Sequence, residues 1–266
     1  MAARAVEDFA LSKRLIGERS EYLPKRQAGS ISQPAELSAK KGGGNMTNIF
    51  DNIELLEKRD ELRDSFMRKK EDKSSLQKYS TLIDVIDEWK YSTGPIFDQP
   101  PYTSEMSGFD GGRLLKRSFR DPFEARLKGA YSSGFKNGAH VVTIDPSKPA
   151  STPIVATFFS HGSDVIDSSS IRIYNNSLHS SLKQPELIGV KQIFNYSLGI
   201  KVCVGVGSRN SYTIIIYYCD SEGLVSAASM ATAPFDVQAN YRFEYDSERK
   251  LCAVTSGVDI WRRKSL

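Results

Sequence analysis

From residue 139 onward, apolar and polar side chains alternate with a period of two, and this confines the second half of the chain to β-sheet. Nine segments carry the alternation: His140–Asp145, Ile154–Phe159, Ser170–Asn175, Val190–Tyr196, Ile200–Gly207, Tyr212–Cys219, Ala239–Tyr245, Lys250–Thr255 and Val258–Arg262. They are rich in Val, Ile, Phe and Tyr, which suit a pleated, half-buried surface. Gly, Ser, Asn and Asp separate them, as turns require. No helical period interrupts the series, so residues 116–266 read as one all-β domain.

The first half reads differently. Residues 1–47 contain Pro24, Pro34 and the run Lys-Lys-Gly-Gly-Gly at 40–44, and hold too little apolar surface to offset their ordering entropy. They are expected to form a flexible tail. In residues 48–91, Phe50, Ile53, Leu56, Leu62 and Phe66 recur at roughly helical spacing among dense charges. Leu76, Tyr79, Leu82, Ile83, Ile86 and Trp89 then follow at spacings of three and four. Two helices joined near 72–75 form an expected helical arm. Residues 92–115, with Pro95, Pro100, Pro101 and four glycines, read as a linker or long surface loop.

Within the β half, Ile171-Arg-Ile-Tyr174, Ile214-Ile-Ile-Tyr217 and Val258-Asp-Ile-Trp261 look alike and begin 43 and 44 residues apart. Each follows a hydrophobic strand across a polar turn. A period of 40 to 45 residues with four short strands per unit is that of a propeller blade. The pattern resembles WD-repeat proteins, with Gly257-Val-Asp-Ile-Trp261 as the nearest counterpart of their signature. Arg262 stands where Asp would follow, and the opening Gly-His pair is missing. The resemblance implies a partial ring of about three divergent β-propeller blades. The alternative is that the strands form a β-sandwich or barrel.

Signals for chemistry are sparse. His140, His161 and His179 have no metal-ligand spacing, and Cys203, Cys219 and Cys252 sit singly within strands. Gly205-Val-Gly207 lacks the third glycine of a dinucleotide turn and leads into another strand. Ser160-His161-Gly162-Ser163-Asp164 crowds a hydroxyl, an imidazole and a carboxylate, but sequence neighbours rarely converge as nucleophilic catalysis needs. No catalytic residue, cofactor or metal is therefore expected.

The formal charge of +4 is unevenly spread: residues 113–266 hold 19 basic against 13 acidic residues, and residues 1–112 hold 17 against 19. Arg113, Lys116, Arg117 and Arg120 form the densest basic cluster and are candidate polyanion-binding residues. A basic half of this kind suits an acidic partner, a membrane surface or nucleic acid. No run approaches the roughly 18 apolar residues of a membrane-crossing helix. An odd number of cysteines and no secretory leader favour an intracellular setting, cytoplasmic or nuclear. The expected function is a non-enzymatic scaffold or complex subunit, with Leu82, Ile86 and Trp89 anchoring a protein partner or a second copy. The alternative is a nucleic-acid-associated or virion-type structural protein that self-assembles and holds polyanions through its basic half.

Overall fold

The computed structural model describes residues 48–97, 100–147, 152–174, 184–234 and 237–263; the expected tail, 1–47, lies outside them. Helix α1 (Ile53–Glu71) is followed by α2 (Lys73–Leu82), a 3-10 turn (Ile83–Val85) and strand β1 (Glu88–Ser92). Two short helices, α3 (Thr103–Met106) and α4 (Pro122–Leu127), precede the remaining strands. These are β2 (Tyr131–Lys136), β3 (Ala139–Ile144), β4 (Ile154–His161), β5 (Val165–Ile173), β6 (Glu186–Ser197) and β7 (Ile200–Gly207). Then come β8 (Tyr212–Cys219), β9 (Val225–Thr232), β10 (Val237–Tyr245), β11 (Leu251–Thr255) and β12 (Asp259–Arg262). The protein is mainly β.

All twelve strands form one antiparallel sheet in chain order, a meander in which each strand pairs with its sequence neighbours. The propeller expectation, and with it the WD-repeat resemblance, is overturned. Blades are separate four-stranded sheets, whereas here the ladder runs unbroken from β1 to β12. The three look-alike segments belong to β5, β8 and β12, so equal spacing covers three strands the first time and four the second. The period is a coincidence of strand and turn lengths. Of the alternatives, a two-sheet sandwich does not describe a single sheet, and a barrel comes nearer but lacks closure, because β1 and β12 do not pair.

The sheet nevertheless curls. Twelve flat strands at about 4.8 Å spacing would hold the two edges roughly 50 Å apart. Beside β1, Thr93 N donates to Arg113 O (3.0 Å) and Leu115 N to Tyr91 O (2.8 Å), while Trp261 Nε1 in β12 donates to Asp110 Oδ1 (2.9 Å). Asp110 and Arg113 are separated by at most about 11 Å of extended chain. The edges therefore lie within roughly 30 Å of one another, bridged by the loop 93–113.

That loop lies inside the curl, since it reaches strands from one edge to the other. Phe97 meets Phe135 edge-on at 5.1 Å, Tyr217 Oη donates to Pro101 O (3.0 Å), and Tyr102 packs on Phe243 at 5.4 Å. The inner face near the loop carries Cys203, Ile215, Tyr217, Tyr241, Phe243 and Val254, with Met106 of α3 buried among them. The outer face carries Val142, Phe158, Ile171, Val202, Val204, Ile214 and Ile216, and both helices cover it. Helix α1 supplies Leu55, Leu62 and Phe66 from one stripe and begins at Asn52, whose side chain accepts from Leu55 N.

The second helical stripe stops short of its expected length. Helix α2 ends at Leu82, Ile86 lies between elements, and Trp89 belongs to β1. Ile83 and Val85 lie in the 3-10 turn, and the β-branched Ile86 has the extended backbone that leads into that strand. Ile86 and Trp89 pack on Gly134 of β2, where an added Cβ would stand 3.1 Å from each of them and 2.7 Å from Val142. Gly134 leaves the space that they fill.

Candidate functional site

At one end of the curl the turns β4–β5, β6–β7 and β8–β9 converge on the Pro100–Tyr102 segment. Between them lies a cleft of about 380 Å³. Its floor is apolar: Tyr217 and Val225 are buried, and Ile166 and Ile193 half-buried. Its rim is polar and exposed, with His161, Asp164, Asn195 and Lys201. Pro100, Pro101 and Tyr102 form one wall, held by the Tyr217 hydroxyl on the Pro101 carbonyl. Burial drives the Tyr217 phenol well above its usual range, so it remains a neutral donor there.

The Ser-His-Asp neighbours of the β4–β5 turn reach this cleft without assembling for catalysis. His161 Nε2 donates to the His140 carbonyl at 2.7 Å, which occupies that nitrogen. Ser163 Oγ donates directly to Asp164 Oδ2 at 3.1 Å. The hydroxyl thus meets a carboxylate with no imidazole between them, so the relay from nucleophile to base to orienting acid is not formed. Cys219, at the cleft, has its thiol pushed up by burial, which disfavours the thiolate. The Cys203 thiol, fully buried, is pushed up to about 11 for the same reason. Among the described residues, no three His, Cys, Asp or Glu side chains are placed to hold a metal ion.

A second cluster surrounds His140. Its ring lies 4.6 Å from Phe159, 5.3 Å from Phe135 and 6.0 Å from Phe97, and Lys90 Nζ sits 4.5 Å from the Phe135 centroid. His140 Nε2 is 3.1 Å from the Val142 carbonyl oxygen, which assigns the proton to that nitrogen. Burial, with the neighbouring His161 charge, lowers the His140 pKa from 6.5 to about 4. The cluster is an aromatic packing unit around a neutral imidazole. His179 falls outside the described residues.

The expected partner residues Leu82, Ile86 and Trp89 do not form one stripe. Leu82 is exposed at the end of α2, next to exposed Val85, whereas Ile86 and Trp89 are half-buried against the outer core. Arg113, Lys116, Arg117 and Arg120 are all exposed and lie together beside β1. Arg120 Nε is paired with Asp121 Oδ2 at 2.9 Å, and the Arg117 guanidinium lies 4.4 Å from the Phe119 centroid. Sequence reasoning missed the cleft residues Tyr102, Asn195, Lys201 and Tyr217. They come from four separate stretches, and only the sheet's turn order brings them together.

The fold defines a class, a curled open meander of twelve strands with an inward-folded loop and a two-helix cover. No family model, no curated protein and no solved structure matches the chain. No helix among the described residues is long and apolar enough to cross a membrane.

Proposed function

We propose that the protein is a non-enzymatic interaction subunit, a scaffold whose curled β platform takes an anchoring side chain of a partner protein. The make-up of the cleft supports this reading: an apolar floor of Tyr217, Val225, Ile166 and Ile193 lies within a polar rim of His161, Asn195 and Lys201. Interface anchors gain most in a pocket of that kind, where the floor desolvates and the rim excludes water. The direct Ser163–Asp164 contact suits recognition better than bond cleavage. Leu82 and Val85, exposed at the corner between α2 and β1, offer a second apolar contact.

The test is affinity capture from cells with the full chain, comparing wild type with Asn195→Trp, which fills the cleft from its exposed rim, and with Leu82→Ser. The proposal expects a partner held in stoichiometric amount by wild type and lost with Asn195→Trp at an unchanged melting temperature. A capture profile identical in wild type and both variants would oppose it. So would a hydrolytic turnover abolished by Ser163→Ala.

A further inference from the structure

The segment between β1 and β2 carries exposed apolar and basic side chains close together in sequence. Tyr91, Ala125 and Ala130 form a small buried node, packed by Leu115 and Phe119. Residues 113–120 wrap one side of it and α4 the other, with Arg120 N donating to Glu124 Oε2 at 2.9 Å to join the two. With Leu115 turned inward, Leu114 faces out and is 55% exposed. On α4, Ala125 and Arg126 are buried, while Phe123 (41%) and Leu127 (36%) stand exposed four residues apart on one face.

The same stretch of chain, 113–128, also carries Arg113, Lys116, Arg117, Arg120 and Lys128, all exposed. The only acids between residues 113 and 128 are Asp121 and Glu124, and both are engaged locally. Asp121 accepts from Arg120 Nε and caps α4 through Glu124 N, and Glu124 accepts from Arg120 N. The remaining cations have no ion pair among the described residues.

We propose that this patch docks on an anionic lipid bilayer, with Leu114, Phe123 and Leu127 entering the headgroup boundary and the five cations meeting lipid phosphates and carboxylates. Apolar side chains ringed by Lys and Arg are the make-up of an interfacial membrane contact. The aromatic inventory favours lipid over nucleic acid. Phe119 is occupied by Tyr91 at 4.8 Å and by Arg117, so its faces are not open to a base. Two of the three exposed apolar groups are leucines, which have no stacking face.

The experiment is co-sedimentation of the full chain with phosphatidylcholine vesicles, and with vesicles containing 30% phosphatidylserine. Binding to a 30-nucleotide single strand is measured alongside. The variants are Lys116→Ala with Lys128→Ala, and Phe123→Ser with Leu127→Ser. Leu114→Ser is a milder apolar variant in case the double one melts early. The proposal expects binding to the anionic vesicles only. Affinity should fall about fivefold per cation removed, and so roughly 25-fold for the pair. A loss with the apolar variants is also expected, at unchanged melting temperature. No vesicle binding, or vesicle binding unaffected by either pair, would overturn it. Oligonucleotide binding that falls with the cations but not with the apolar variants would assign the patch to nucleic acid instead and equally overturn it.

Discussion

Replacing Gly112 by Ala isolates the closure of the inward loop. Gly112 has φ +89°, and an added Cβ would stand 2.5 Å from Gly94 N and 2.6 Å from Gly94 Cα. A side chain at that φ costs about 1–2 kcal/mol. The contact is with backbone, which no rotamer change relieves, so the two glycines must part. The adjacent pair Thr93 N to Arg113 O and Arg113 N to Thr93 Oγ1, both 3.0 Å, is lost with them at about 1 kcal/mol each. The sum is about 3–4 kcal/mol, or roughly 10 °C of melting temperature for a domain of this size. Gly138→Ala is the control: φ is +77°, but nothing lies within 4 Å of the added Cβ. It should cost only the conformational part, about 1–2 kcal/mol. Thermal melting of both variants, with amide exchange at Thr93 and Leu115, makes the comparison. If Gly112→Ala were no more destabilising than Gly138→Ala, or left both amides protected, the close approach of the two strands of the loop would be refuted.

Two further outcomes follow from the packing. Phe66→Ala should cost about 3–5 kcal/mol in urea denaturation because Phe66 is 2% exposed, while Met67→Ala, at 50%, should stay within about 0.5; equal losses would mean that α1 packs by another face. His140 titrates near 4 when folded against 6.5 ordinarily, so the folded state binds fewer protons than the unfolded state between those values. Its contribution to stability is complete above pH 6.5 and is lost as the pH falls toward 4. His140→Phe should therefore lose less stability than wild type between pH 7 and 4.5, and parallel denaturation curves would contradict the burial of the ring.

The strands legible in the sequence were those whose own side chains pack: Val202, Val204 and Val206, or Ile214 and Ile216, alternate because one face meets the helices. The strands it hid are built from small residues. In β9 the run Val-Ser-Ala-Ala-Ser-Met-Ala-Thr has little strand propensity, yet Ala228 and Ala231 are fully buried because larger neighbours on β8 and β10 leave room for a methyl group only. In β2, Gly134 is required by Trp89 and Ile86, which lie in a different part of the sequence. The helix period carried through Ile86 and Trp89 because both pack half-buried on the outer core, and burial alone does not distinguish a helix from a strand. The repeat misled because spacing in sequence records only length, whereas β6 spans twelve residues and β12 four. The exposed basic cluster was legible as charge. The cleft was not, since it exists only where three hairpin turns face one loop.

Because each strand pairs with the one made just before it, the sheet can be laid down in the order of synthesis, with no wait for a distant partner. Loop-closure entropy is then small at nearly every step. Among the longest-range ties is the Trp261–Asp110 hydrogen bond, which spans 151 residues of sequence. It can form only after β12 has joined the sheet. Until then the 93–113 loop has its neck at β1 and its contacts with Tyr217 of β8 and Phe243 of β10, but no anchor on the far edge. That interval, rather than any individual hairpin, is when a nascent chain of this design depends most on protection from its neighbours.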